Sequence, residues 1–268
     1  MTRPDVGNGP HPGVVAGVRA ALATVLDPEL DEPITSLGFV ADCTVSADGV
    51  ARVRLRLPTF FCAPNFSFLM VADAHDAVSA VDGVRLAAVA LLDHHASTEI
   101  NAGVAGGLGF AGSFEGEATG ELHELRAQFL HKAVVAGQDR VARPLVDAGA
   151  TPVELAALTL GEVPPSADKT RLAGRRALLG LPADDAAPLL MHPDGAPVTV
   201  EQVPLHLRRA RLTRIGIETN GEYCRSLLAS RYDDAGRPSP QSFPQAEARA
   251  EAMAEAISDH PARGRAMP

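Results

Sequence analysis

The chain has 268 residues, 46% of them hydrophobic and 21% charged, a globular balance that excludes a largely disordered protein. Lys and Arg number 24 against 33 Asp and Glu, a net charge of −9 with no basic block, which argues against a nucleic-acid groove. No apolar run approaches the ~18–20 residues of a membrane span. Aromatics are only 4% with no Trp, so small side chains pack the interior, which favours helices over a β-sandwich.

Residues 1–13 are polar and rich in Gly and Pro, without the apolar core of a signal peptide. From Val14 to Leu26, apolar side chains recur at helical spacing, and Asp27-Pro28-Glu29 ends that helix because Pro28 biases Asp27 out of the α region. Leu37 to Val45 and Val50 to Leu57 read as strands joined across Asp48-Gly49, a hairpin turn signal. The second strand alternates: Val53, Leu55 and Leu57 on one face, Arg52, Arg54 and Arg56 on the other. A solvated sheet face explains the three arginines better than a phosphate site. After a loop at Pro58 to Pro64, a helix is expected from Asn65 to Val81, closed by Gly83. Val84 to Leu92 is nearly all apolar, which predicts a central strand covered on both faces.

The order α-β-β-α-β over 14–100 predicts an α/β or α+β domain with a small mixed sheet, followed by a mainly helical C-terminal region. Residues 101–120 hold seven glycines and read as a Gly-rich linker. Helical patterns follow from Leu122, ending before Pro144 or at Gly149; at Thr151-Pro152, where a cap and a first-turn proline open a short helix; from Ala167 to Leu179; and around 201–214 and 221–231. A hairpin is expected through Pro193-Asp194-Gly195. The helical region spans 121–232, and 233–268 reads as a flexible tail.

Cys43, Cys62 and Cys224 form neither a CxxC pair nor an even framework, which suits a reduced, cytoplasmic protein whose thiol chemistry rests on one cysteine. Cys43 and Cys224 fall among apolar neighbours and read as core. Cys62 differs. It lies in PTFFCAPN, directly before a helix start, where unpaired N–H groups and the helix dipole favour the anionic sulfur that binds metal or attacks; a buried, inert thiol is the alternative.

Asp93-His94-His95 leaves the third strand, with Glu99 four residues beyond His95, and supplies further ligand types. Adjacent histidines on an extended chain point to opposite sides, so only one naturally faces Cys62. If the second and third strands are parallel neighbours, Cys62 and one histidine emerge at the same rim. Glu121, Glu124, Gln128 and His131 share a helix face, but the paired E-x-x-H pattern of a diiron site is broken, leaving a solvated face. Gly107-Leu108-Gly109-Phe110-Ala111-Gly112 fits GxGxxG without a strand immediately before it, so a dinucleotide site is not expected.

The run DPEL at 27–30, ITSLGFV at 34–40, LPTFFCAPN at 57–65, then a helix and VRLAAVALL, resembles the metal–sulfur cluster biosynthetic family. This is the FSCA-type iron–sulfur cluster assembly domain that includes PaaD-like proteins. Asp27, Pro28, Glu29, Leu37, Gly38, Thr59 and Cys62 carry the resemblance; where the family shows Cys-Pro, Ala63 intervenes here and moves the helix start by one residue. The helical remainder resembles extensions on relatives that accompany bacterial multicomponent diiron monooxygenases.

The resemblance implies a maturation factor, not itself an enzyme, that assists assembly of an iron–sulfur cluster or iron centre in a client metalloprotein. Cys62 would be the working thiol, with Asp27 and Thr59 shaping its loop and His94, His95 and Glu99 as candidate metal ligands. A cluster generally takes four ligands. One thiol therefore implies a homodimer sharing the cluster, help from other side chains, or a domain that presents a client without holding metal. Two rival readings are a metal-dependent enzyme using Cys62 with His94 or His95, and a metal-free accessory subunit of a monooxygenase.

Overall fold

The computed structural model describes residues 12–116, 118, 120 and 122–232. The expected lead-in (apart from its last two residues), the tail and Glu121 lie outside these. The described chain forms two compact units: one of 12–27, 32–122 and 223–232, the other of 28–31 and 123–222.

In the first unit, α1 (Pro12–Leu22) buries Val18 and Leu22. It stops four residues short of the expected end: the Thr24 hydroxyl donates to the Ala21 carbonyl at 2.7 Å, and the chain turns into β1 (Leu26–Asp27). That strand pairs antiparallel with β2 (Glu32–Pro33), a ribbon the periodicity did not reveal because each strand is two residues long. A turn then occupies Pro33 to Gly38, so β3 (Val40–Val45) begins three residues later than expected. Gly38 explains the delay. Its φ of +76° breaks extended pairing, and a Cβ there would lie 3.2 Å from Leu228.

β3 and β4 (Val50–Leu55) form the expected hairpin across Asp48-Gly49, with Cys43 opposite Val53. Ala51, Val53 and Leu55 are buried while Arg52 and Arg54 are exposed, as the alternation requires. After α2 (Pro64–Ser79), β5 (Leu86–Leu91) returns parallel to β4, giving a mixed sheet of order β3-β4-β5. The α-β-β-α-β order holds, but β5 is an edge strand and not central. Only Ala87, Val89 and Leu91 are buried; Ala88 and Ala90 reach the other face half-exposed, an apolar run that small side chains make tolerable.

The glycine-rich stretch is folded. It holds the end of α3 (Ser97–Gly106) and all of α4 (Gly109–Ser113). A Cβ at Gly103 would fall 1.7 Å from the Ser113 hydroxyl, so the two helices cross at a glycine. The Phe110 ring packs edge-on against Phe68 of α2 at 5.5 Å. Gly107 caps α3 in the left-handed region, so the GxGxxG run follows a helix and no strand.

The second unit contains α5 (His123–Asp147), α6 (Pro152–Ala157), α7 (Ala167–Leu178) and residues 203–222 of α8 (Val203–Arg231). Its core joins Val134 and Val141 of α5, Leu155, Leu160, Leu172, Leu190 and Val203. α5 continues through Pro144, which faces solvent. Thr151 and Glu154 form a reciprocal capping box at α6. The expected hairpin at 193–195 is reduced to one bridge between Met191 and Pro197. The two helices expected at 201–214 and 221–231 are a single one. Buried positions at Val203, Ala210, Arg214, Ile217, Gly221 and Leu228 keep one stripe running along the whole helix.

Candidate functional site

Parallel pairing puts the C-terminal ends of β4 and β5 at one rim of the sheet, and the ladder is extended there by Leu92 donating to the Leu55 carbonyl at 2.8 Å. Beyond that bond, one chain continues into the Cys62 loop and the other into Asp93-His94-His95. The two continuations stay tied, because the His95 amide donates to the Phe60 carbonyl at 3.1 Å.

Cys62 is half-buried, and its sulfur lies 3.3 Å from the Thr59 hydroxyl. Ala63 is the extended N-cap of α2 and Pro64 its first residue, one position before the expected start at Asn65. The Ser67 hydroxyl donates back to the Ala63 carbonyl at 3.1 Å and holds this first turn.

The rings of the two histidines lie together, their centroids 4.6 Å apart and their planes tilted by 33°, so the divergence expected of an extended chain is not found: Asp93 turns the backbone there with a φ of +46°. His94 is buried at 2% exposure, and His95 is exposed. The Nε2–H of His94 donates to the Cys62 carbonyl at 2.7 Å, with the Ser67 hydroxyl 3.3 Å away, and its Nδ1 accepts from the Ala96 amide at 3.1 Å. A carbonyl can only accept and an amide N–H can only donate, so these partners fix the tautomer. Burial pushes the ring's pKa down to about 4, with the Cys62 carbonyl opposing, which keeps it neutral near pH 7. His94 thus holds the thiol loop through its backbone.

His95 joins an exposed ring cluster. It lies 5.7 Å from Phe61 and 6.2 Å from Phe60, and Phe61 is 71% exposed beside the thiol. Glu99 is exposed in the first turn of α3. Asp27 is buried in β1, beside α2. The structure therefore brings together Thr59, Cys62 and His94, the last through a backbone carbonyl. Among the described residues no three His, Cys, Asp or Glu side chains converge to hold a metal ion. Cys43 and Cys224, expected in the core, are half-buried, and burial pushes the Cys43 thiol up. Glu124 and Gln128 are exposed, as a solvated face requires, but His131, expected on the same face, is half-buried with its Nδ1 enclosed.

Residues 16–91 match the family model described as iron-sulfur cluster assembly protein. This segment belongs to that family. The match runs from within α1 to the end of β5 and includes the Cys62 loop, and the family suggests a role in iron–sulfur cluster assembly. Comparison with curated proteins and with solved structures gives no match. No helix among the described residues is long and apolar enough to cross a membrane.

Sequence reasoning missed Ser67, Arg231 and Tyr232 as parts of this rim, and read Asp93 only as a further ligand type, not as the turn residue that Arg231 and Tyr232 hold. Asp93 carried a local signal: an Asp directly after an apolar strand tolerates the positive φ that turns the chain, here +46°. Arg231 and Tyr232 carried none, being more than 130 residues away from Asp93 in the chain.

Proposed function

We propose that the assembly domain is a maturation factor that passes an iron–sulfur cluster, or iron destined for one, to a client metalloprotein, with Cys62 as the working thiol. The observation that supports this reading most is the presentation of Cys62. It is the half-exposed sulfur at the parallel-strand rim, its carbonyl is fixed by a buried neutral histidine, and its sulfur touches only a hydroxyl among the contacts described above. A thiol that packed the core would not need a loop anchored through its own backbone.

The cluster is cargo. One thiol offers one of roughly four ligands, so the remaining ligands come from the client or from a second copy of this chain, and the cluster is held in transit. The Thr59 hydroxyl lies at hydrogen-bond distance from the sulfur, 3.3 Å. The resemblance of the helical region to monooxygenase-associated extensions makes a multicomponent diiron monooxygenase the proposed client.

Anaerobic reconstitution of the full chain with ferrous iron and sulfide tests the reading. Bound iron and acid-labile sulfide, with visible charge-transfer absorption, are expected in the wild type and in Cys43→Ala. Both are expected to vanish in Cys62→Ala. Equal iron and sulfide in Cys62→Ala would overturn the assignment.

A further inference from the structure

The last turn of α8 belongs to the first unit, and its final residues reach the rim that carries Cys62. One guanidinium nitrogen of Arg231 donates to the Leu57 carbonyl at 2.9 Å, and the other donates to the Asp93 carbonyl and pairs with the Asp93 carboxylate. Leu57 is the root of the thiol loop, and Asp93 is the root of the His94-His95 segment. The Tyr232 hydroxyl donates to the same Asp93 carboxylate at 3.3 Å, and the Arg56 guanidinium lies 4.9 Å above the Tyr232 ring. Asp93 is 1% exposed, and its positive φ is held with one carboxylate oxygen engaged by Arg231 and Tyr232.

The rigid planar fork of arginine suits this role. It reaches two carbonyls on two chain segments at once, which a lysine ammonium on a flexible stem does poorly. The segments it clamps are those joined above by the His95–Phe60 and His94–Cys62 bonds. The same turn packs Leu228 against Gly38, the glycine of the family-like ITSLG run.

We infer that Arg231, supported by Tyr232, is a positioning residue for Cys62: the end of α8 clamps both strand exits and sets how far the thiol loop opens. This takes from the proposed function only that Cys62 is the working thiol. Its readout needs neither metal nor client, so its failure and the failure of that reading are distinguishable.

The test is alkylation of the full chain by iodoacetamide, followed peptide by peptide by mass spectrometry, with Cys43 as the internal reference. In Arg231→Met, alkylation of Cys62 is expected to accelerate about fivefold or more, the factor that accompanies a modest loss of local stability. Cys43 should stay within about twofold, well short of the factor that a kcal/mol of general destabilisation would give. Hydrogen exchange should quicken over 57–63 and 92–96 alone. Arg231→Lys, which restores the charge beside Asp93 but not the two-carbonyl fork, should fall between. Tyr232→Phe keeps the ring and gives a smaller rise at Cys62; it carries the test if Arg231→Met does not fold, and no rise there would then count against the inference. An unchanged Cys62 rate in folded Arg231→Met, or Cys62 and Cys43 rising together, would overturn it.

Discussion

The two units close a strand-like end with the same device. In the first, Asn101 of α3 accepts from the Leu91 amide at 2.8 Å and donates to the Leu91 carbonyl at 3.1 Å. In the second, Gln138 of α5 accepts from the Met191 amide at 2.8 Å and donates to the Met191 carbonyl at 3.1 Å. Each side-chain amide stands where a neighbouring strand's peptide would, and each unit also holds a histidine, buried at His94 and half-buried at His206, whose pKa is pushed down to about 4, chiefly by loss of solvent. The difference lies in what the histidine touches. His206 meets the Gln138 side chain at 3.0 Å, the same amide that closes the strand-like end. His94 meets the backbone of a half-exposed cysteine. Shared devices are therefore fold maintenance, and the feature without a counterpart is the one to read as function.

The amides give the largest expected effect. Asn101→Leu and Gln138→Met are close in volume, so each chiefly leaves a buried N–H and a buried C=O unpaired, at roughly 2–4 kcal/mol. Gln138→Met should cost more, since His206 loses a partner as well. Denaturant unfolding, with hydrogen exchange assigning the loss to one unit, checks both. Costs below about 1 kcal/mol would show the amides to be incidental.

Much of the first unit was legible because its signals are local. The Asp48-Gly49 hairpin and the alternation of Val53 and Leu55 with Arg52 and Arg54 follow from local geometry over a few residues, whereas the His94 and His95 rings, 4.6 Å apart, do not diverge as an extended chain would require. The rank of β5 was not legible, because a run of alanines has the same pattern whether covered on one face or two. The single α8 was not legible as one helix, although its buried positions continue from Val203 to Leu228. The Arg231 clamp was hidden altogether, since a contact spanning 138 residues leaves no trace in either local pattern.

The histidines give an intermediate effect and sharpen the comparison by pH. An unfolded histidine titrates near 6.5. Both folded rings titrate near 4, so between about 6.5 and about 4 the unfolded chain binds protons that the folded chain refuses. Stability is then fully present above about 6.5 and falls as the pH drops through that window, on the order of 1–2 kcal/mol per histidine after allowance for solvent screening. His94→Gln and His206→Gln should each flatten the acid loss in urea titrations at pH 7 and pH 5. Only His94→Gln should also change the alkylation rate of Cys62. An acid slope as steep in both variants as in the wild type would show that neither ring carries it.

The smallest expected effect is the most telling. The Cys62 loop is fixed by backbone groups, through the Phe60, Cys62 and Ala63 carbonyls, and none of these bonds uses the sulfur. What the sulfur adds is a 3.3 Å contact with Thr59 at a half-exposed position. Cys62→Ala should therefore stay within about 0.5 kcal/mol of the wild type, as substitutions outside a packed core do. The denaturant midpoint should be unchanged in the same variant that loses bound iron and sulfide. A cost of about 2 kcal/mol or more would instead place the thiol among packing groups. A residue that contributes almost nothing to stability, yet has its loop clamped by His94 on one side and Arg231 on the other, is held for what its sulfur does.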